Sequence, residues 1–461
     1  MDGVGAQAMR NTGAASQGGG RALVVGLGKT GLSCARYLTR QGVTVAVTDS
    51  RAHPPCLDEL REEIPDLALF LGGFTPEVFE AAAQIVVSPG VAVSHPLIQA
   101  ARARGVPVIG DIELFAGAAR APVVAITGSN GKSTVTSLVG EMARQANRRV
   151  AVGGNLGEPV LDLLDDAVEL YVLELSSFQL ETTSSLAPRV ATVLNLSPDH
   201  MDRYPDLDAY AAAKARIFQG ARIAVVNRDD PAVEALPRAT ESEVGFTLGT
   251  PREGDFGLCK KGGELWFCQG PRQIFPVAGQ HLPGRHNLAN AVAALALGEA
   301  AGLPEEALLA GLRRFRGLPH RTQFVAEIDG VQWFNDSKGT NVGATCAALE
   351  GLRPGDGGRI VLIAGGECKG AELAGLAPVV SGVARSVILI GRDAPLLEKA
   401  FAGRVPVRHA ASMEAAVVLA AEAARPGDRV LLSPACASFD MFENFADRGE
   451  AFMAAVRRRA Q

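Results

Sequence analysis

The stretch TGSNGKST, residues 127–134, decides the fold of the segment around it. It follows an apolar run, Ala121 to Ile126, and precedes a segment whose apolar residues recur at helical spacing. A glycine-rich turn between a strand and a helix lets backbone N–H groups converge on an anion at the positive end of the helix. Lys132 adds a positive charge, and the Ser133 hydroxyl can reach a phosphate-bound Mg²⁺ ion. A standard phosphate loop has glycine where this chain has Ile126, so the loop is shorter than usual.

Length and charge limit the possible classes of protein. A chain of 461 residues is expected to form roughly three domains of about 100 to 200 residues each. Its 45 basic and 50 acidic residues give a net charge of −5, so we expect no basic surface for nucleic acid or anionic membranes. No stretch reaches the roughly 18 uninterrupted apolar residues of a membrane span. We expect a cytoplasmic, soluble monomer without stable membrane association.

The cysteines and the N-terminus add two further expectations. The seven cysteines are scattered, with no C-x-x-C pair and no zinc-finger spacing, so we predict reduced thiols. Residues 1–20 are rich in Gly, Ala and Ser and lack the apolar core of a secretory signal, so we predict a disordered extension. The cysteines are Cys34, Cys56, Cys259, Cys268, Cys346, Cys368 and Cys436.

The first region, residues 21–110, opens with a strand, a glycine turn, a helix and a second strand. Gly26, Gly28 and Gly31 have the G-x-G-x-x-G spacing, and Asp49 ends the second strand about twenty residues later. This fingerprint alone suggests a dinucleotide, but it is a weak signal. A hydride-transferring enzyme would pair it with a second domain for the hydride acceptor, whereas this chain carries a triphosphate loop. We therefore predict that the region binds a nucleotide diphosphate.

Two further regions alternate apolar strands with helical patterns. The middle region, residues 111–317, carries the phosphate loop at its first strand–helix turn, where parallel sheets bind ligands. The last region, residues 318–461, repeats the pattern with polar, glycine-rich strand ends. We predict an α/β protein of three domains, each a mostly parallel sheet with flanking helices. The first and last would be Rossmann-like and the middle one of P-loop type.

Acidic and imidazole side chains at strand ends of the middle region suggest a metal site. Glu174 ends the strand in YVLELSS, where a phosphate-loop enzyme places a metal-side carboxylate. His200 lies between Asp199 and Asp202 after the next strand. The alternative is a structural histidine and a strand-end glutamate without a role. Lys214 lies in a helical stretch, and by composition it is merely a lysine on a helix surface.

A series of blocks resembles the Mur ligase family in order and spacing. The blocks are TGSNGKSTVTSLVGEM, VGGNLG, YVLELSSFQLETTSSL, DHMDRY, GRHNLAN, GLPHR, NDSKGTN and LSPACASFDMFENFADRG. The resemblance covers nearly the whole chain from about residue 21. TGSNGKST is typical of the wider family, whereas LELSSFQLETTSSL and SPACASFDMFENFADRG point to its D-glutamate-adding member.

The resemblance implies an ATP-dependent amide bond between UDP-N-acetylmuramoyl-L-alanine and D-glutamate, in cytoplasmic synthesis of the peptidoglycan precursor. A carboxylate is a poor electrophile, so it would first become an acyl phosphate by attacking the γ-phosphoryl group of ATP. Two anions then approach each other, and cations must neutralise them. The implied cofactors are ATP and Mg²⁺, as two ions. Lys214 matches a position that the family carbamylates, and a carbamate can hold a metal ion that an ammonium group would repel.

The resemblance also implies the residues of each subsite. The catalytic residues would be Lys132, Glu174, His200, Lys214 and Lys369. ATP would be held by Gly128, Asn130, Gly131, Lys132, Ser133, Thr134, Asn287, Asn290, Arg321 and Asp336. The UDP-sugar would be held by Gly28, Thr30, Ser50, Arg51, Asn155 and Ser176. D-Glutamate would be held by Lys338, Thr340, Lys369, Ser438 and Phe445. The Mg²⁺ ligands would be Ser133, Glu174, His200 and carbamylated Lys214.

Three blocks depart from the family pattern. GGECKG has Glu367 and Cys368 where the family has an aspartate in third place, which bears on contacts to the adjacent Lys369. Thr322 and Gln323 replace an aromatic residue and a glutamate after GLPHR. DSKGTN has Gly339 where alanine is common. These departures lie in the predicted amino-acid site and near the domain junction.

Three alternatives stay open at this point. A sister ligase, such as a folylpolyglutamate synthetase or an enzyme that adds another amino acid, would share TGSNGKST but would not need the SPACASFDMFENF block. A nucleotide-binding regulatory module would bind ATP without phosphate release that depends on D-glutamate. An NAD-linked oxidoreductase would bind a dinucleotide without Mg²⁺. In the ligase, the third domain must close over the nucleotide, with residues 316–321 as the hinge.

Overall fold

The computed structural model of the chain describes residues 21–281, 284–354, 357–368, 373–401 and 403–460. Strands in this part of the chain form three sheets, one in each of the regions that the sequence separates. Apolar side chains from strands and helices fill a core on the faces of each sheet. The predicted extension, residues 1–20, lies outside the described residues, and the exact domain boundaries stay predictions.

The N-terminal sheet is entirely parallel and has the strand order β3-β2-β1-β4-β5. Its centre, β1, is buried throughout, as expected of a strand covered on both faces. The chain order reverses at β1, so the glycine turn that follows it lies at a topological switch point. The strands are β1 (Ala22–Val25), β2 (Val45–Asp49), β3 (Ala68–Leu71), β4 (Gln84–Val87) and β5 (Val108–Ile109). The helices are α1 (Lys29–Arg40), α2 (Leu57–Glu63), α3 (Pro76–Glu80), α4 (Pro96–Ala103) and α5 (Asp111–Ala118).

The middle sheet has the order β14-β13-β12-β11-β10-β9-β6-β8-β7. Its strands are β6 (Val123–Thr127), β7 (Val150–Gly154), β8 (Leu170–Glu174), β9 (Val190–Val193), β10 (Ile223–Asn227), β11 (Ser242–Phe246), β12 (Phe256–Lys261), β13 (Glu264–Gln269) and β14 (Arg272–Pro276). Strands β6 to β11 pair in parallel with their neighbours, whereas β12, β13 and β14 form antiparallel hairpins at one edge. The sheet is therefore mostly parallel, as predicted.

Three long helices cover one face of the middle sheet. The helices of this region are α6 (Lys132–Gln145), α7 (Ser177–Leu180), α8 (Leu207–Ala215), α9 (Pro231–Glu234), α10 (Arg285–Ala300) and α11 (Glu305–Arg314). Apolar residues of α6, α10 and α11 share one core with the strands. Met142 of α6 packs directly against Gly311 of α11 and fills the space that a side chain at position 311 would need. This close packing fixes α6, and with it the phosphate loop that precedes it.

The C-terminal sheet has the order β15-β16-β20-β17-β18-β19, in which only the β15–β16 pair is antiparallel among the described strands. The strands are β15 (Gln323–Ile328), β16 (Val331–Asn335), β17 (Ile360–Gly365), β18 (Ala384–Ile390), β19 (Val407–His409) and β20 (Arg429–Leu432). The helices are α12 (Val342–Gly351), α13 (Leu376–Val383), α14 (Ala394–Phe401), α15 (Met413–Ala423) and α16 (Phe445–Arg459). The loops after β16, β17 and β20 meet at one edge of the sheet.

The structure confirms the predicted fold class and corrects one prediction about the cysteines. Cys259 of β12 and Cys268 of β13 form a disulfide, with Cα atoms 6.2 Å apart, so the prediction of reduced thiols is wrong for this pair. The two residues lie on neighbouring antiparallel strands, and their spacing in the sequence does not reveal that proximity. The other five cysteines are free thiols. No helix in the described part of the chain combines the length and apolar character needed to cross a bilayer.

Candidate active site

The phosphate loop lies at the topological switch point of the middle sheet. β6 pairs with β8 on one side and with β9 on the other. The loop after β6 therefore opens into the crevice where the strand order reverses. Gly128 and Gly131 have φ angles of 153° and 81°, which residues other than glycine rarely adopt. Lys132 begins α6 directly after this turn. The loop and the start of α6 therefore have the geometry that the predicted anion-binding cradle requires, and phosphate binding there stays a prediction.

Lys132 folds back over its own loop. Its Nζ atom donates hydrogen bonds to the carbonyl oxygens of Gly128, at 2.8 Å, and Ser129, at 3.0 Å. Burial lowers the pKa of Lys132, and the nearby Glu174 carboxylate opposes that change. A positive group in a site of low polarity attracts phosphate oxygens more strongly than it would in water.

Lys214 is buried, so its interpretation as a helix-surface lysine is wrong. Only 1% of the residue is exposed, and its Nζ atom lies 2.9 Å from the carbonyl oxygen of Gly128 and 3.3 Å from Oγ1 of Thr127. The Tyr210 ring lies 4.5 Å from the same atom. Burial, and then the charge of Lys132, lower the pKa of Lys214 well below its ordinary value. Burial beside the phosphate loop therefore favours the neutral form of this amine.

Glu174 ends β8 and points one free oxygen into the site. Its Oε1 atom accepts a hydrogen bond of 2.6 Å from Nδ2 of Asn155. Its Oε2 atom is buried and has no hydrogen-bond partner in the described structure. A buried carboxylate oxygen without a donor is costly unless a cation or another donor occupies the space beside it. The geometry therefore suits a metal ligand.

His200 follows β9 in a left-handed backbone conformation, with φ at 58°. Its Nε2 atom lies 3.8 Å from Oδ2 of Asp199, and its ring packs edge-on against Phe178 at 4.8 Å. Burial lowers the pKa of His200, although Asp199 raises it. A neutral imidazole with an accessible nitrogen is suited to bind a metal ion. Strained backbone at a non-glycine residue is typical of functional positions.

The residues fit Mg²⁺ as an ion shared with phosphate, not as an ion in a closed protein cage. No cluster of three or more His, Cys, Asp and Glu side chains is preformed among the described residues. Mg²⁺ typically keeps several waters and takes one or two protein ligands plus phosphate oxygens. The unpartnered oxygen of Glu174 and the hydroxyl of Ser133 meet that requirement.

Arg321 reaches the phosphate loop from the segment that leads into the C-terminal sheet. Its Nη2 atom lies 2.8 Å from Oγ of Ser133, and burial lowers the pKa of the guanidinium group. Asp336, at the end of β16, accepts hydrogen bonds from the Thr322 N–H, at 3.0 Å, and from Oγ of Ser433, at 2.7 Å. Burial raises the pKa of Asp336 to about 6.

A cavity between the middle and C-terminal sheets contains most of the predicted ATP residues. Asn287 and Asn290 lie in the first turns of α10 and are linked by a 3.2 Å hydrogen bond. The Asn290 side chain fills the space beside Gly131 that a Cβ atom would need. Gly128 and Ser133 lie beside the cavity in the same loop and helix. The predicted residues that line it are Asn130, Gly131, Thr134, Asn287, Asn290, Arg321, Asp336 and Lys338.

The predicted D-glutamate residues come from two loops that meet at the edge of the C-terminal sheet. Lys338 and Thr340 follow β16, and the Lys338 Nζ atom lies 3.9 Å from the ring centre of Phe445. Ser438 is buried in the loop before α16, and Phe445 begins that helix. Burial, and then Arg321, lower the pKa of Lys338 to about 8. Lys369, which the sequence also assigns to catalysis, lies outside the described residues.

The predicted UDP-sugar residues divide between the first two sheets. Gly28 and Thr30 lie at the start of α1, whose N-terminus faces the switch point of the N-terminal sheet. Arg51 pairs with Asp49 through hydrogen bonds of 2.9 and 2.8 Å. Ser50 lies between these two residues, after β2. Asn155 and Ser176, after β7 and β8, belong to the middle sheet, where Ser176 caps α7.

The structure also reveals a positioning residue that sequence reasoning missed. Arg448, in α16, is only 1% exposed. It donates hydrogen bonds to Oγ of Ser337 at 3.0 Å, to the Ser337 carbonyl at 2.9 Å and to the Cys436 carbonyl at 3.2 Å. Arg448 therefore holds together the two loops that carry the predicted D-glutamate residues. It lies inside the quoted block SPACASFDMFENFADRG, but its spacing there does not distinguish it from a surface arginine.

Sequence models of one family match all three regions of the chain. They are described as Mur ligase MurD-like, N-terminal domain, over residues 20–110; Mur ligase middle domain, over residues 126–298; and Mur ligase, glutamate ligase domain, over residues 320–436. The chain belongs to the Mur ligase family. The resemblance recognised in the sequence is confirmed.

Curated relatives within the family share more than half of the sequence. A protein from Nitrosococcus oceani is 56% identical over 436 residues, which cover 94% of this chain and 96% of the relative. A protein from Marinobacter nauticus is 53% identical over 95% of this chain and 98% of the relative. Both relatives are named UDP-N-acetylmuramoylalanine--D-glutamate ligase.

Solved structures of other proteins share the fold. UDP-N-acetylmuramate-alanine ligase from Thermotoga maritima aligns with a TM-score of 0.60 at 17% identity, over 95% of this chain and all of that one. A folylpolyglutamate synthase from Mycobacterium tuberculosis, complexed with ADP, aligns with a TM-score of 0.57 at 18% identity, over 75% of this chain and 95% of that one. These similarities support the fold alone.

Proposed function

We propose that this Mur ligase joins UDP-N-acetylmuramoyl-L-alanine to D-glutamate by an amide bond, with hydrolysis of ATP to ADP and phosphate. The substrates follow from relatives at 51–56% identity that carry the name of this activity. The observation that carries the chemistry is the convergence of Lys132, Glu174 and Arg321 on the start of α6. We place the enzyme in the cytoplasm, as a monomer in peptidoglycan precursor synthesis.

The first step is activation of the substrate carboxylate. It attacks the γ-phosphorus of ATP, ADP leaves, and an acyl phosphate forms. Lys132 and Arg321 hold the phosphate oxygens in line and offset their charge, which is most of what phosphoryl transfer requires of a protein. Mg²⁺, when bound by Ser133 and Glu174 and, as a second ion, by His200, would supply further neutralisation of the phosphate oxygens.

The second step is attack by the amine of D-glutamate on the acyl phosphate carbonyl. The tetrahedral intermediate collapses to the amide and inorganic phosphate. Lys338, Thr340, Ser438 and Phe445 would hold the amino acid, and Lys338 has its pKa lowered to about 8 by burial. An ammonium group that is still charged at neutral pH attracts a carboxylate of the amino acid. Lys369 completes the proposed set.

The UDP-sugar would lie across the first two sheets. Gly28 and Thr30, at the N-terminus of α1, offer backbone N–H groups to a diphosphate. Arg51 and Ser50 extend that site, and Asn155 and Ser176 bring it towards Glu174. The glycine fingerprint is thus proposed to serve a uridine diphosphate in place of a dinucleotide.

Carbamylation of Lys214 is part of the proposal. In its neutral form, which the lowered pKa favours, the buried amine would add CO₂ and release one proton to solvent, leaving a negatively charged carbamate beside Gly128 and Thr127. Incubation with ¹³C-bicarbonate should give a carbamate carbonyl signal by ¹³C NMR, and the Lys214→Arg variant should lack it. Equal signals from both proteins would reject the modification at this residue.

Phosphate release tests the function directly. The enzyme is incubated with ATP, Mg²⁺ and UDP-N-acetylmuramoyl-L-alanine, and with D-glutamate, L-glutamate or no amino acid. Phosphate release is followed, and the mass of the UDP-sugar product is measured by mass spectrometry. We expect sustained phosphate release only with D-glutamate, together with a product heavier by one glutamyl residue. Release that requires another amino acid would instead indicate a sister ligase, and no release in any mixture would favour a regulatory module.

A further inference from the structure

Two free cysteines lie together beside the proposed amino-acid site. Cys368 follows β17 and Cys436 follows β20, and they are 6% and 1% exposed. Neither belongs to a disulfide. Each is close in sequence to a residue proposed to hold D-glutamate: Lys369 is adjacent to Cys368, and Ser438 is two residues after Cys436.

The backbone places the two side chains opposite each other. Glu367 and Ala437 form an antiparallel bridge, with N–H to carbonyl distances of 3.0 and 2.9 Å in the two directions. Cys368 and Cys436 are the next opposed positions, which exchange no hydrogen bonds. Opposed residues of this kind have Cα atoms about 4.5 Å apart and side chains on one face. Disulfides need a Cα separation of roughly 4.4–6.8 Å.

The backbones of both cysteines are held by hydrogen bonds, and the Cys436 thiol affects the pKa of Cys368. Hydrogen bonding from the Cys436 thiol is the largest influence on Cys368 and lowers its pKa, while burial raises it. The N–H of Cys368 donates to Oδ2 of Asp393 at 2.8 Å, and the carbonyl of Cys436 accepts from Arg448 at 3.2 Å. Cys368 is therefore the better nucleophile, because the thiolate is the reactive form, and it is also the more exposed of the two.

We propose that Cys368 and Cys436 form an oxidisable dithiol whose disulfide links the loop after β17 to the loop after β20, which carries Ser438 of the proposed amino-acid site. With a low-molecular-weight disulfide as oxidant, the Cys368 thiolate attacks one sulfur and releases the first small thiol. The Cys436 thiolate then attacks the Cys368 sulfur and releases the second. The two cysteine protons end on the two released thiols, and the small disulfide is reduced as the protein disulfide forms.

The link should alter binding of the amino acid, a consequence that rests on the proposed function. A sulfur–sulfur bond is about 2 Å long, shorter than any contact between two thiols, so its formation draws the two loops together. Ser438 lies on the loop after β20, whereas the phosphate loop belongs to another sheet. We expect the KM for D-glutamate to rise at least threefold on oxidation, and the KM for ATP to stay within about twofold.

Peptide mapping tests the disulfide without reference to activity. The full chain is incubated with oxidised glutathione, remaining thiols are alkylated, and unreduced tryptic peptides are weighed. We expect a linked peptide pair containing Cys368 and Cys436 that dithiothreitol separates. Cys346, a half-buried free thiol of the same sheet region, should instead carry glutathione. Alkylation of both Cys368 and Cys436 while Cys346 carries glutathione would overturn the proposal.

Variants separate the dithiol from its effect on the site. Cys368→Ser should give no linked peptides and a KM for D-glutamate that oxidation leaves unchanged, whereas Cys346→Ser should behave as the parent protein does. A linked peptide pair with an unchanged KM in the parent would overturn the connection to the amino-acid site. An inactive protein that still forms the linked peptides would instead count against the proposed function.

Discussion

Arg321 donates a hydrogen bond of 2.8 Å to the hydroxyl of Ser133, and this contact joins two sheets. Ser133 lies in the first turn of α6, on the middle sheet, whereas Arg321 leads into β15 of the C-terminal sheet. The contact places the C-terminal region over the phosphate loop. A guanidinium group stays charged even when buried, so Arg321 brings a fixed positive charge to this position.

We expect Arg321→Met to lower kcat/KM for ATP by about 100-fold, comparable to the loss of one donor that stabilises a transition state. The variant removes the guanidinium group but keeps a side chain of similar length. Steady-state phosphate release at varied ATP concentration measures the effect. Arg314→Met is the matched control, because the Arg314 side chain is 74% exposed and pairs only with Glu141 among the described residues. Equal losses in both variants would argue against a site role for Arg321.

Glu174→Gln should raise the Mg²⁺ concentration needed for half-maximal activity by at least tenfold. The amide keeps the shape of the side chain but loses the negative charge that a divalent ion requires. Asn155→Ala removes the donor to Oε1 and should raise the same concentration by about 10- to 100-fold, as outer-shell changes do. Mg²⁺ titration of phosphate release is the measurement. Glu169→Gln, near the start of the same strand, should leave the curve unchanged.

The KM for D-glutamate should rise with pH through about 8 because Lys338 loses its charge there. Burial lowers its pKa to about 8, so the ammonium form is complete at lower pH and disappears above that value. An ordinary lysine would keep its charge to beyond pH 10. Lys338→Arg keeps the charge throughout, so its KM should stay flat between pH 7 and 9. A parent profile as flat as that of the arginine variant would contradict the assignment.

Arg448→Met should lower the free energy of unfolding by about 3 kcal/mol and raise the KM for D-glutamate. The substitution leaves the carbonyls of Ser337 and Cys436 buried without this donor, at about 1–3 kcal/mol for each unsatisfied group. Denaturant unfolding and D-glutamate saturation curves measure the two effects. Arg448→Lys, which keeps a donor, should recover part of the KM loss. Arg457→Met changes an exposed position on the same helix and should alter neither quantity.

The fold was predictable because its signals are local. Apolar runs followed by glycine turns identify β1 and β6, and those turns lie at the switch points of two sheets. The strand ends at Glu174 and Asp49 are where the sequence places them. The disulfide between Cys259 and Cys268 was not predictable, because it depends on the register of a hairpin and not on a recognisable cysteine spacing.

Residues of the candidate site could be predicted only where a family motif includes them with an assigned role. Composition makes Lys214 a surface lysine, and only the family pattern singles it out; the structure buries it against the phosphate loop. Arg448 was not identified because an arginine in the first turn of an amphipathic helix is usually solvated. Its three acceptors come from loops 12 and 111 residues away in the chain. Contacts between distant loops leave no periodic signal in a sequence.

Gly128 contributes one carbonyl oxygen to two lysines, Lys132 and Lys214. A phosphate that draws Lys132 away from this oxygen changes the surroundings of Lys214 in the same event. By thermodynamic reciprocity, the free energy by which a bound nucleotide alters charging of Lys214 equals the free energy by which the charge of Lys214 alters nucleotide affinity. Calorimetric heats of nucleotide binding, measured in buffers of different ionisation enthalpy, show whether binding exchanges protons at these two lysines.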